Sequence, residues 1–394
     1  MLCCLVLFIG FVCSRALASI GMISLLVAAL LFTDTIQTLK SYFLRKELWV
    51  ISLFFWLVFI SGIYSEDKAS WLNWVRIKIP YIALPLAFAG LKRLEEKQFV
   101  SILYGFILIF LISTFLILGN YFLHYSQITD AMTSGSGIPM PYSHIRYTLM
   151  LAFSFFCCWH LFEKKQFLFH KGERWAQLLY LVFGFAAIHI LSVRSSLLAL
   201  YLGIFSLLLR FIFVRKKFLL GGVLLLATLC MPYLALQFIP SLQNKWQYMD
   251  YDRHAFAEGR INNLSDGIRL ISMQGGIDVA KKNWLIGVGA GDLKDEMEVF
   301  YNRDFRQLKQ ADHKLPHNQL IWVLATTGII GLSLFLFAFF FPFFSAGLYE
   351  NSLAVVLYLV IFSSFFTEAT LEEQMGTGLY LIFLLLFINQ SQKA

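Results

Sequence analysis

Long apolar runs constrain this chain more than any other feature of it. About 20 apolar residues span a bilayer as a helix. By that measure twelve segments stand out, near residues 2–13, 16–33, 48–63, 73–90, 99–122, 145–162, 175–192, 197–213, 218–236, 317–342, 352–367 and 376–389. They do not alternate apolar with polar residues as the strands of a membrane barrel do. Lipid also requires every backbone N–H and C=O to be satisfied within the protein, and a lone segment achieves that only as a helix. The expected fold is all-α: a polytopic membrane protein of about twelve transmembrane helices. Composition agrees, with 59% hydrophobic and only 14% charged residues, whereas globular domains sit near 45–50% and about 25%. Ala16-Leu17-Ala18 resembles a signal-peptide cleavage site. No Lys or Arg precedes the apolar stretch, however, and apolar sequence resumes as far as Phe32, so a retained membrane segment is expected.

The net charge of +8 is held in short clusters between apolar runs. That distribution reads as topology, and no nucleic-acid partner is expected. Lys40, Arg45 and Lys46, then Lys92, Arg93 and Lys97, then Lys164, Lys165, Lys171 and Arg174, then Arg215, Lys216 and Lys217 occupy one set of alternate loops. The opposite short loops hold Lys68 and little else, so the rich set and both termini are expected in the cytoplasm. One connection is long. Residues 237–316 carry 11 basic and 11 acidic side chains and fall on the outer side of this topology. A long connection in a compact protein is usually functional or disordered, and Trp284, Leu285, Ile286 and Val288 argue that this one is folded. Ser265-Asp266 is placed to cap a helix running to Lys282, with Gly287, Gly289 and Gly291 marking a turn after it. Three regions follow: N-terminal transmembrane helices over 1–236, a large, partly helical periplasmic loop over 237–316, and C-terminal transmembrane helices over 317–394. The six cysteines all lie in apolar runs, none at metal-ligand spacing with His, so no disulfide framework is expected.

Few residues have the makings of chemistry. Pro316-His317-Asn318-Gln319 opens an apolar segment at the outer face, and Pro suits a first helical turn. The helix dipole would then disfavour a charged His317, leaving a neutral imidazole able to take a proton. The competing reading is a polar interface residue that caps the helix. Arg194 sits in a tiny turn between two apolar segments, where its planar fork suits diphosphate oxygens or simply snorkels to headgroups. Arg269 lies on the expected loop helix, with Arg260 and Arg253 similar in kind. Arg146 lies at the outer start of a segment, where it either binds substrate phosphate or simply anchors the helix end, and His144 beside it is a second possible base. Glu368, Glu372 and Glu373 share an outward turn with no ligand-spaced His or Asp. A metal site is therefore not expected there, and a structural or acceptor-positioning role fits better. Gly328 and Gly331 lie three apart on one helix face and suggest close helix packing.

These residues together resemble the O-antigen ligase family of membrane glycosyltransferases, over nearly the whole chain. The sharpest likeness is His317-Asn318, nine residues, then Gly328-Ile329-Ile330-Gly331. Residues 283–291 resemble the family's loop motif, 192–196 its short arginine turn and 367–376 its late acidic motif. The resemblance implies an undecaprenyl-diphosphate-linked glycan as donor. It implies a lipid A-core or other glycan acceptor at the periplasmic face of the bacterial inner membrane, and neither cofactor nor metal. It implies that His317 deprotonates the acceptor hydroxyl and that Arg194 and Arg269 hold the donor diphosphate. Asn318, Arg260, His144 and Glu368 are secondary candidates. O-antigen polymerases, exopolysaccharide polymerases and protein O-oligosaccharyltransferases share this architecture, so the resemblance fixes reaction class better than acceptor. A lipid-linked glycan flippase or transporter is the alternative of another class. Transporters gather polar groups at midplane in paired broken helices, whereas here the polar material collects in the outer loop.

Overall fold

The computed structural model describes residues 1–133 and 135–392. Every regular element among them is a helix. Seven helices are long and apolar enough to cross a membrane: Arg15–Phe32, Glu96–Leu123, His144–Lys164, Glu173–Leu191, Arg194–Arg215, Phe218–Phe238 and Gln319–Ser345. The chain is thus a multi-pass helical membrane protein, with seven such spans among the described residues where about twelve were expected. Of the remaining apolar runs, 376–389 lies in the unbroken helix Gln374–Ser391, and the others are helical but short or interrupted. Leu2–Cys13 and Ser352–Ser364 have 12 and 13 residues. Residues 46–61 break into Lys46–Trp49, a 3₁₀ turn at Val50–Ser52, and Leu53–Ser61. The run at 73–90 divides between Lys68–Lys78 and Pro80–Gly90, because Pro80 supplies no N–H to continue the first ladder.

Two compact units make up the chain. The first holds residues 1–17, 95–250 and 351–363. Aromatic side chains fill its core: Phe106 meets Phe8 at 4.9 Å, Phe110 at 4.8 Å and Phe153 at 6.2 Å between ring centroids. Within that core the Ser113 and Thr114 hydroxyls each lie 2.8 Å from the Tyr147 phenol, a pairing that burial in apolar surroundings favours.

The second unit holds residues 18–94, 251–350 and 364–394. Phe54 packs on Tyr81 and Phe335, and Phe339 on Phe365 and Tyr380. The loop helix expected after Ser265-Asp266 is present as Ser265–Lys282. Its cap differs from the expectation. Buried Asp252 supplies it from another helix, its carboxylate accepting Asp266 N–H at 2.9 Å and Gly267 N–H at 3.1 Å. Pro240–Ala257 and Leu293–Asp304 are further helices, so residues 237–316 are mostly helical.

The glycine-rich stretch 283–291 does more than turn. The helix Gln319–Ser345 breaks at Gly328, whose φ of 63° and ψ of −169° are open only to glycine. The stretch lays its backbone into that break. Val288 and Gly289 donate to the carbonyls of Ala325 and Thr326, both at 2.9 Å. Ile329 and Ile330 donate back to Trp284 at 2.9 Å and Leu285 at 3.3 Å. A Cβ on Gly328 would lie 2.3 Å from the Leu285 carbonyl, and one on Gly287 would lie 2.3 Å from the Thr326 carbonyl carbon. Gly328 therefore serves close packing, as its spacing suggested, but against a loop backbone rather than another helix. On its far side the stretch is tied to residues 61–67. Ala290 N–H donates to the Ser61 hydroxyl at 3.2 Å, and the Asp292 carboxylate accepts Glu66 and Asp67 N–H at 2.8 Å each.

Candidate functional site

In the second unit the loop helix Ser265–Lys282 lies along the start of Gln319–Ser345. Gly276 permits the approach: a Cβ there would fall 2.6 Å from both Pro316 Cγ and Ile321 Cγ2. The helix does not begin at Pro316, as Pro at a first turn suggested. Asn318 is its N-cap, in extended backbone, and its side-chain oxygen accepts Leu320 N–H at 2.9 Å and Ile321 N–H at 3.1 Å. Asn is among the strongest N-caps because its short side chain satisfies donors the helix cannot. The secondary candidate Asn318 thus has a structural task, and His317 stands just outside the helix. Its backbone N–H donates to the Ser272 hydroxyl at 3.3 Å. That hydroxyl in turn donates to the Arg269 carbonyl at 2.7 Å.

This placement turns the His317 imidazole toward the turn at 365–373. Nδ1 lies 3.3 Å from Glu368 Oε1, and Arg269 Nη2 lies 3.9 Å from the same oxygen. The three side chains are mostly buried, with 25% of His317 and Arg269 and 11% of Glu368 exposed. When Nδ1–H donates to the carboxylate, Nε2 keeps its lone pair and can accept a proton. The carboxylate also stabilises the imidazolium that would form, which is the logic of a base oriented by a third group. The dipole of a helix acts mainly within its first turn, and the carboxylate is the nearer influence on this ring. Glu368, a secondary candidate for a structural or acceptor-positioning role, is thus the direct partner of His317.

The other candidates fall elsewhere. Arg260 is paired locally with Glu258 at 2.6 Å and with the Tyr251 ring at 5.5 Å, and that carboxylate holds its guanidinium above the usual arginine range. The structure therefore brings Arg269, and not Arg260, to the Glu368 carboxylate that faces His317. Arg194, Arg146 and His144 belong to the first unit. Arg194 is exposed at the first position of Arg194–Arg215, after a turn in which Ser192 takes a left-handed φ of 52°. Its guanidinium lies 3.1 Å from Met249 Sδ. His144 and Arg146 occupy the first turn of His144–Lys164, the histidine exposed and the arginine partly buried. Among the described residues, no three His, Cys, Asp or Glu side chains are grouped to hold a metal ion.

The residues missed by sequence reasoning are Ser272, Lys78 and Gln319. Ser272 reads as one more polar residue on a solvated helix. Gln319 looks like an ordinary helix-start residue, although it is fully buried. Only Lys78 carried a signal, as a charge just inside an apolar segment.

A family model described as O-Antigen ligase matches residues 179–336. The match includes His317, Asn318, Arg269, Arg260 and Arg194, and leaves Arg146, His144 and Glu368 outside it. No curated protein matches the chain.

Proposed function

From an O-antigen ligase domain over residues 179–336 of a multi-pass membrane protein, we propose a glycosyltransferase that moves a glycan from undecaprenyl diphosphate to a lipid A-core acceptor at the periplasmic face of the inner membrane. His317 is its general base, Glu368 orients and balances it, and Arg269 is the nearest cation for the donor diphosphate. The observation that carries this reading is the shared oxygen: Glu368 Oε1 faces the His317 ring and the Arg269 guanidinium together. Arg194 is proposed as a further phosphate contact on the resemblance, and Arg146 on its place at the start of His144–Lys164.

The chemistry is economical. A diphosphate leaves readily once its charge is held. The acceptor hydroxyl gives its proton to His317 Nε2 as its oxygen attacks the anomeric carbon, and the bond from that carbon to the diphosphate oxygen breaks on the opposite face. The configuration inverts and undecaprenyl diphosphate departs.

The test uses purified full-length protein with lipid-linked donor and acceptor in detergent. His317→Ala should lose on the order of 10²–10⁴ in turnover while still binding donor lipid, because the base is needed only in the transition state. Near-normal turnover would overturn the assignment. A deletion strain separates acceptors: loss of a ligase leaves bare core and accumulated lipid-linked polymer, whereas loss of a polymerase leaves core carrying one repeat.

A further inference from the structure

Lys78 ends the helix Lys68–Lys78 and is only 2% exposed. Its ammonium donates to Glu372 Oε1 at 2.8 Å and to the Leu371 carbonyl at 2.9 Å. The Tyr81 and Trp322 rings flank it at 5.3 and 5.9 Å. Glu372 is 3% exposed, so this is a fully buried ion pair. Gln319, also fully buried, completes the cluster. Its amide donates to the same Glu372 oxygen at 2.7 Å, and its carbonyl oxygen accepts Leu371 N–H at 2.8 Å. Its own backbone N–H donates to the Phe365 carbonyl at 2.9 Å.

A buried ion pair is poor value for stability alone. Desolvation costs several kcal/mol per ion, and apolar residues of similar size often stabilise as well or better. What this pair does achieve is geometric. Gln319 lies two residues after His317, and Glu372 lies four after Glu368. The Gln319–Glu372 and Gln319–Leu371 bonds therefore clamp the segment that carries the imidazole to the turn that carries its carboxylate. Lys78 holds the clamp from a third element. The turn has little freedom otherwise: the Ser364 and Thr370 hydroxyls meet at 2.6 Å, and Glu368 N–H donates to the Ser364 carbonyl at 2.9 Å.

The geometry points to Lys78, Glu372 and Gln319 as positioning residues that set the distance between His317 and Glu368. The inference rests on His317 being the base. A misplacement of about 1 Å at a reacting group can cost on the order of 100-fold in rate, so a clamp on this contact has a use that packing alone lacks.

A double-mutant cycle on the full-length protein tests it, with turnover counted per donor-binding site. Gln319→Leu keeps a buried side chain of similar size and removes both side-chain cross-links. It should lower kcat by on the order of 10- to 100-fold with donor affinity unchanged. Made on top of Glu368→Gln, the same substitution should cost less than about threefold, since coupled residues are non-additive. A loss equal in both backgrounds, or wild-type kcat in Gln319→Leu, overturns the inference. If Gln319→Leu does not fold, Lys78→Met/Glu372→Leu replaces it. That pair leaves no orphaned charge, and the same non-additivity is expected. His317→Ala is measured alongside. Normal turnover there overturns both the base and the clamp, whereas an inactive His317→Ala with additive effects elsewhere overturns the clamp alone.

Discussion

Gly328→Ala should uncouple the 283–291 stretch from the helix that receives it. Two penalties add. A non-glycine residue at φ 63°, ψ −169° is strained by about 1–3 kcal/mol. The new Cβ would also sit 2.3 Å from the carbonyl carbon and oxygen of Leu285 and 2.4 Å from Ile286 N. These are backbone atoms and cannot rotate aside, so the stretch must lift. Four hydrogen bonds are then at risk: Val288 to Ala325, Gly289 to Thr326, Ile329 to Trp284 and Ile330 to Leu285. At about 0.5–1.5 kcal/mol each they bring the total to roughly 3–9 kcal/mol, against a whole-protein stability of about 5–15 kcal/mol. The assay is thermal melting of detergent-purified protein together with tryptic cleavage at Lys281 and Lys282, just before the stretch. A large fall in melting temperature with faster cleavage is expected. The control is Gly119→Ala, a helical position where a Cβ meets nothing within 4 Å. If Gly328→Ala melted within about 1 °C of wild type with an unchanged tryptic pattern, the plugged break would be refuted.

Other substitutions probe the site and its frame. Arg269→Ala should abolish transfer with the protein still in the membrane, and Arg260→Ala should retain it; the reverse result would mean that the wrong loop arginine has been chosen. Arg194→Ala should likewise be inactive, and Arg194→Lys should recover only part of the turnover, because a point charge does not reproduce a bidentate fork on diphosphate; wild-type turnover in Arg194→Ala would show that the residue only snorkels. Asp252→Ala removes the cap of Ser265–Lys282 and should cost about 1 kcal/mol, seen as faster amide exchange at the start of that helix; unchanged exchange would rule the cap out. Reporter fusions within 237–316 should read periplasmic and those at 91–98, 163–174 and 214–217 cytoplasmic, and a cytoplasmic signal from the long loop would overturn the site's proposed orientation.

Helices were legible wherever an apolar run was long and unbroken, because lipid leaves the backbone no alternative. The breaks were harder to read. Pro80 inside the 73–90 run was a visible stop, yet overall hydropathy carried the segment past it. Gly328 was visible only as a member of a spaced pair. Its helix-breaking φ depends on a stretch some forty residues earlier donating to the carbonyls around it, and no local pattern carries that information. The Ser265–Lys282 helix was legible from its start signal and periodicity, but its cap was not, since Asp252 reaches it from another helix.

The site shows the same division between local and distant causes. His317 was singled out as a histidine at the head of an apolar segment, whereas the capping role of Asn318 was hidden by Pro316, which suggested an earlier helix start. The outward turn was noticed for its carboxylates, yet nothing in the sequence assigns different work to each. Glu368 is held near His317 and Arg269, whereas Glu372, four residues on, is consumed by Lys78 and Gln319. Burial separates them. At 3% exposure Glu372 needs a counter-charge and a donor to remain charged, and Lys78 and Gln319 supply both at its Oε1. Glu368 keeps a partly open edge, and its guanidinium neighbour stands 3.9 Å off rather than in a closed bridge. Arg269 therefore remains available to a more strongly charged partner. A donor diphosphate entering there would compete with Glu368 for the guanidinium. On the proposed reading the donor would draw Arg269 away from Glu368 Oε1, the oxygen that also faces the His317 ring.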